Sequence, residues 1–171
     1  MKLIGAILVL IASSLIGFSF SARFRERPKQ LSQLRSALQS LEAEITYGLT
    51  PVYEAALHLA GQMPEPVNRF FGTLAERIET GKGQPLSQIW QETLEAFWPK
   101  TALKKNEKEV WRQFGLTLGQ SDRANQQKYI QLALSHLERE EKEARSAQQQ
   151  YEKMVKSLGF LGGILIILLL F

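Results

Sequence analysis

The stretch LEAEITYGLTPVYEAALHLAG, residues 41–61, decides how the chain folds. One apolar helical pattern runs into it and stops at Tyr47-Gly48, and another starts at Thr50-Pro51. Upstream, Leu31, Leu34, Leu38, Leu41 and Ile45 recur at spacings of three and four, which lays one apolar stripe on a helix from about Lys29 to Tyr47. Gly48 reads as its stop. Thr50 then offers an N-cap hydroxyl and Pro51 the fixed φ of a first helical residue, so a second helix is predicted from Pro51 to about Ala60, ending at Gly61. Glu54 falls in its first turn, where a carboxylate suits the helix dipole.

The same grammar continues downstream. Pro64-Glu65-Pro66 breaks the chain, and Val67, Phe70, Phe71, Leu74 and Ile78 form a third stripe that ends at Gly81-Lys82-Gly83. A fourth helix begins near Pro85, turns Leu86, Ile89, Trp90, Leu94 and Phe97 inward, and stops at Trp98-Pro99. A fifth groups Leu103, Val110, Trp111 and Phe114, with Gly115 and Gly119 punctuating its end. From Ser121 to Leu158 there is neither glycine nor proline, and Ala124, Ile130, Leu134, Leu137, Ala144, Tyr151, Val155 and Leu158 lie on a heptad-like face. Glu141 and Gln148 interrupt that face, so the sixth helix is expected to leave the bundle beyond about Arg139. No segment alternates with period two, and no sheet is expected. The fold class is all-α: an antiparallel bundle of about six helices.

Both ends of the chain are apolar. Residues 3–22 carry no charge, and about 20 such residues span a bilayer core. Residues 157–171 are also uncharged but give only roughly 22 Å of helix, with Lys153 and Lys156 placed to snorkel. The expected organisation is a transmembrane helix over 1–22, a cytoplasmic bundle over 23–156 and a second transmembrane helix over 157–171. Small residues Ser19 and Ser21 would fit a cleaved leader. The flanks oppose it: only Lys2 precedes the apolar run, whereas Arg23, Arg25, Arg27 and Lys29 follow it, which holds the following segment in the cytoplasm. These four are the expected membrane-surface residues, facing anionic headgroups. Ser13-x-x-x-Gly17 and Gly159-x-x-x-Gly163 place small residues one turn apart, a spacing that lets membrane helices approach closely; pairing within the chain and self-association both remain open.

Chemistry is scarce. The chain has two histidines, one aspartate and no cysteine, so disulfides and thiolate metal sites are excluded. Neither His58 nor His136 belongs to a zinc spacing. Thr80-Gly81-Lys82-Gly83 lacks the residues of a phosphate loop, and Glu138, Glu140, Glu141 and Glu143, interspersed with Arg139 and Lys142, read as a solvated helix face. The net charge of +4 is partly the juxtamembrane cluster, and no basic stripe interleaved with aromatics is present, which argues against nucleic acid. No cofactor, metal or catalytic residue is assigned. Lys100, Lys104, Lys105 and Lys108 also read as a solvated face, with a docking patch as the minority view.

The joints carry a resemblance. Leu41-Glu42-Ala-Glu44-Ile45-Thr-Tyr47 followed by Thr50-Pro51-Val-Tyr-Glu54-Ala55, together with Thr117-Leu118-Gly119-Gln-Ser121-Asp122, then Gln127 and a glycine-rich apolar C-terminus, resembles the stage III sporulation protein AB family of spore-forming bacteria along nearly its whole length. Gly83-Gln-Pro85-Leu86-Ser87 and Trp98-Pro99 are similar to the platform domain of type II secretion F proteins, a membrane-attached cytoplasmic helical bundle that contacts a hexameric assembly ATPase. Gly119-Gln-Ser121-Asp122 departs from that family's G-E-x-G turn, which leaves the ATPase-facing chemistry open. The resemblance implies a non-enzymatic component of a channel complex in the mother-cell membrane facing the forespore. Its implied partners are an ATPase like stage III sporulation protein AA, other membrane proteins of the channel, and lipids. The expected partner-binding residues are Glu44, Tyr47, Thr50, Pro51, Glu54, Gly119, Ser121 and Asp122. A membrane-anchored coiled-coil spacer and a membrane-bound enzyme are the rival readings.

Overall fold

A computed structural model describes residues 24–81, 83–118 and 123–170. They form six α-helices: α1 over 24–42, α2 Val52–Gln62, α3 Val67–Thr80, α4 Leu86–Phe97, α5 Lys105–Thr117 and α6 Arg123–Leu170. A π-helical turn, Ala43–Tyr47, follows α1, and a short 3-10 turn, Trp98–Lys100, follows α4. The described residues contain no strand. Consecutive helices pack on one another, α2 on α3, α3 on α4, α4 on α5 and α5 on α6.

The apolar stripes build the core as their spacing requires. Leu31, Leu34, Leu38 and Leu41 of α1 are buried, as are Val67, Phe70, Phe71 and Leu74 of α3 and Ile89, Trp90, Leu94 and Phe97 of α4. Phe70 sits at the centre, with its ring centroid 4.9 Å from Trp90, 5.3 Å from Phe97 and 5.9 Å from Trp111. Edge-to-face contacts of this kind add about 0.5–1.5 kcal/mol each beyond the area they bury.

Several boundaries differ from the sequence reading. Helix α1 is already helical at residue 24, a turn before Lys29, because Phe24 stacks on Tyr151 of α6 at 4.7 Å and Arg27 is buried. Helix α2 runs through Gly61 and ends at Met63, whose extended backbone leads into Pro64. Gly115 does not end α5 but lies within it, buried. A Cβ on Gly115 would fall 1.9 Å from Cδ1 of Trp90, so this glycine is where α4 and α5 meet. The indole N–H of Trp90 donates to the carbonyl of Trp111 at 3.0 Å, which fixes the ring against that turn.

The largest departure is in α6. Beyond Arg139 it stays in the bundle: Glu140, Glu141 and Ala144 are buried, and Tyr151 meets Phe24. Glu141 interrupts the apolar face only in sequence. It receives Arg145 at 2.6 Å and lies 3.2 Å from Arg35, so its charge is answered and the face continues. Glu138 and Glu143 are exposed as expected.

Contacts between α1 and α6 set an antiparallel register along the whole bundle. Phe24 lies against Tyr151, Arg35 against Glu141, Glu42 against Gln131 at 2.9 Å and Tyr47 against Gln127 at 3.5 Å. The joint after α1 is therefore at one end of the molecule, and residues 24 and 151 are at the other. At 1.5 Å per residue the two ends are about 34 Å apart.

Among the described residues no helix is long and apolar enough to cross a membrane. The span expected over 1–22 lies outside those residues. Over 157–171 the backbone of α6 is helical through Leu170, and the side chains from 159 onward are outside the description.

Candidate functional site

The joint between α1 and α2 is built around Glu44. Its main-chain carbonyl accepts the backbone N–H of Thr50 at 3.0 Å, and its carboxylate accepts the Thr50 hydroxyl at 2.8 Å. The other carboxylate oxygen lies 3.1 Å from Nδ1 of His58, in the second turn of α2. Thr50 is therefore not the N-cap the sequence suggested: Pro51 holds that position with no side-chain capping bond, because the threonine hydroxyl is turned back to Glu44. Gly48 adopts ordinary helical angles. Its lack of a Cβ matters for another reason, since a Cβ there would sit 2.8 Å from the Glu44 carbonyl oxygen.

The residue that reverses the chain is Leu49, with φ of +55°. The left-handed region costs an L-residue roughly 1–2 kcal/mol, and a leucine has no local hydrogen bond to offset it. Leu49 is 59% exposed, Tyr47 beside it 72%, and Leu57 on the outer face of α2 is also exposed. The polar Glu44 bracket thus holds a strained turn that presents a small apolar surface to solvent. Glu54 is exposed in the first turn of α2.

Hydrogen bonds from Thr50, then from His58, hold the Glu44 carboxyl below the usual carboxylate range. A depressed folded pKa contributes stability that is present above the unfolded value and is lost as pH falls through the folded one. Acid should therefore loosen the joint. Thr50→Val is expected to move the Glu44 titration upward in a carboxyl-detected NMR experiment; an unmoved midpoint would show that the hydroxyl contributes nothing.

A second surface lies between α5 and α6. Val110, Phe114 and Leu116 face Tyr129, Leu132 and Ala133 across an open groove of about 580 Å³, with His136 at its edge. Glu109 on its rim is held down to about 2 by hydrogen bonds from Arg112 and Gln113. His136 thus lines an apolar groove, and among the described residues no group of three or more acidic, histidine or cysteine side chains is placed to hold a metal.

The four basic residues after the first apolar run do not act alike. Arg25 and Lys29 are exposed, and Arg23 lies outside the described residues. Arg27 is no membrane-surface residue. It is buried, with Nε and Nη2 donating to Oε1 of Glu107 at 2.8 and 2.5 Å and Nη2 to Oε2 of Glu140 at 2.8 Å. Glu107 is wholly buried and also receives the backbone N–H of Lys104, which opens α5. The sequence reading gave Glu140 to solvent and Arg27 to lipid because neither residue's partner is near it in the chain; the three come from α1, α5 and α6. Lys108, another of the basic residues considered for docking, pairs with Glu95 at 2.7 Å.

Gly119, Ser121 and Asp122 lie outside the described residues, as do Ser13 and Gly17; of Gly159 and Gly163 only the helical backbone is described. The expected partner-binding residues that can be placed, Glu44, Tyr47, Thr50, Pro51 and Glu54, are all in the one joint. Leu49, Leu57 and the α5–α6 groove were not anticipated.

The sequence pattern of the stage III sporulation protein AB family matches residues 2–171 of this chain. The chain belongs to the stage III sporulation protein AB family. It is 47% identical over 170 residues to stage III sporulation protein AB of Bacillus subtilis (strain 168), covering 99% of both chains. A solved structure of a stage III sporulation protein AB is similar over 73% of this chain and 98% of its own, with 46% identity and a TM-score of 0.69. The motifs on both sides of the joint therefore belong to a sporulation protein family, and the all-helical fold is shared with a solved relative.

Proposed function

We propose that this chain is a non-enzymatic platform protein of a sporulation channel complex. In this reading apolar ends anchor it in the mother-cell membrane facing the forespore, and the bundle stands in the cytoplasm and docks a hexameric assembly ATPase. The observation that carries the reading is the position of the strained joint. Leu49 and Tyr47 form an exposed apolar tip about 34 Å along the bundle from the end where residues 24 and 151 lead toward the two apolar segments. A surface so placed is out of reach of headgroups and open to a soluble partner. Strain that persists at an exposed leucine is a mark of a working surface, since a glycine would relieve it. The packed aromatic core speaks against a plain coiled-coil spacer, which needs no globular bundle.

The test separates fold from docking. Leu49→Gly removes the backbone strain and the apolar side chain together. The purified variant is expected to be as stable as the parent or up to about 1 kcal/mol more stable, the net of relieved strain and added unfolded-chain freedom. Co-purification of the ATPase from sporulating cells is expected to fall severalfold. Undiminished co-purification would remove the tip from the interface.

A further inference from the structure

We propose that residues 98–105, which join α4 to α5, lie on the anionic headgroups of the membrane as a third contact beside the two chain ends. Between Trp98 and Asn106 the sequence has three lysines, Lys100, Lys104 and Lys105, and no acid. All three are exposed, and none pairs with a carboxylate among the described residues. Lys108, one turn further into α5, is answered by Glu95 at 2.7 Å. The unanswered charge is thus confined to the start of the helix. Of the acids nearby, Glu26 lies 4.0 Å from Lys29, Glu65 lies 2.8 Å from Arg69, and Glu152 is followed by Lys153. Arg25 and the three lysines remain, an excess of one sign that fits an anionic surface.

The fold puts that charge at the end from which the apolar segments leave. Phe24, two residues past the uncharged run 3–22, shares a cleft of about 440 Å³ with Trp98, Pro99 and Leu103. Gln30 of α1 accepts the backbone N–H of Ala102 at 2.8 Å, and the indole N–H of Trp98 donates to the carbonyl of Lys104 at 3.1 Å, so the segment is held in one shape. Helix α5 runs away from this end: Glu107 in its first turn meets Arg27, whereas Thr117 at its close faces Tyr129. Lys104 and Lys105 therefore lie level with the first turn of α1. The second observation is apolar. Met154, Val155 and Leu158, just past the Phe24–Tyr151 stack on α6, are exposed at the same end. Exposed apolar side chains next to aromatic rings and unpaired lysines are the composition of a lipid–water boundary, and an acidic protein surface would leave the apolar part unexplained. The polar layer outside the hydrocarbon is about 5–8 Å deep, comparable with the length of a lysine side chain.

The contact rests on the membrane anchoring proposed above, and because the chain has no cysteine a single reporter can be placed at will. The full chain, carrying a fluorophore on Pro99→Cys or on Gln84→Cys, is reconstituted in vesicles whose headgroups bear a nitroxide quencher. Gln84 precedes α4, whose 12 residues set it about 18 Å from the proposed contact. Position 99 should be quenched in mixed phosphatidylglycerol–phosphatidylcholine vesicles and much less in phosphatidylcholine alone, and position 84 in neither. Each lysine at an anionic surface is worth about fivefold in binding, so Lys100→Gln/Lys104→Gln/Lys105→Gln should open the contact on the order of a hundredfold and bring position 99 to the level of position 84. Quenching at 99 that equals that at 84, or that ignores phosphatidylglycerol and the lysines, would overturn the contact and give the lysines to an acidic protein surface. Flotation reports the anchoring separately. A chain that floats with both vesicles in high salt but is not quenched at 99 keeps its anchors and loses this contact. One that floats only with the mixed vesicles, and only in low salt, keeps the contact and loses the anchors.

Discussion

Arg27→Met is expected to cost about 3–5 kcal/mol of stability, because it leaves two carboxylates inside the bundle without their cation. Glu107 is fully buried and Glu140 nearly so, and Arg27 joins them across α1, α5 and α6. A lysine cannot substitute, since one ammonium lacks the fork by which the guanidinium serves both acids. Burial of an ion cluster is weak evidence of net stabilisation, and the same physics makes a rescue predictable. In Arg27→Met/Glu107→Gln/Glu140→Leu the charges leave together while the glutamine still reaches the Lys104 N–H, and stability should return to within about 1 kcal/mol of the parent. Urea titration of the single and triple variants measures this. A single variant that loses less than about 1 kcal/mol would mean that the cluster is solvated and does not tie α1 to α5 and α6.

Gly115→Ala is expected to cost about 3 kcal/mol, at the upper end of ordinary overpacking. The added Cβ meets three atoms of the Trp90 indole at 1.9 to 2.4 Å. Trp90 cannot withdraw: it is fully buried, its N–H is bonded to the Trp111 carbonyl, and Phe70, Trp111 and Phe114 surround its ring. Helix α4 must move off α5, and a loss on the order of 10 °C in thermal midpoint follows for a domain of this size. Trp90→Leu placed in the Gly115→Ala background should recover part of the loss, because the smaller side chain vacates the space the new methyl needs. If the two substitutions were simply additive, the contact between these positions would not be the cause.

Periodicity and breakers made the helices legible: the stripes Leu31 to Leu41, Val67 to Leu74 and Ile89 to Phe97 are buried where their spacing puts them. What stayed hidden depends on partners far along the chain. Gly115 looks the same in sequence whether it ends a helix or admits an indole, and only Trp90, 25 residues before it, decides. Arg27 and Glu140 are 113 residues apart, so each reads alone as a surface charge. The joint lies where the residue pattern puts it, but other contacts build it. Residue type makes Thr50 a cap and Gly48 a stop, whereas in the fold Thr50 bonds Glu44, Gly48 admits a close carbonyl, and the reversal falls to Leu49. Nothing in residue type announces a leucine in the left-handed region, because that conformation is imposed by the hydrogen bonds on either side of it.

Docking of the ATPase at this joint, as proposed, can be measured in the cell. A photoreactive amino acid at Leu49 of the full chain in sporulating cells tests it most directly, with Glu65, exposed at the α2–α3 turn, as the comparison position. An adduct with the ATPase is expected from position 49 and none from position 65. An adduct from position 65 alone, or none from position 49 while the ATPase still co-purifies with the chain, would contradict it.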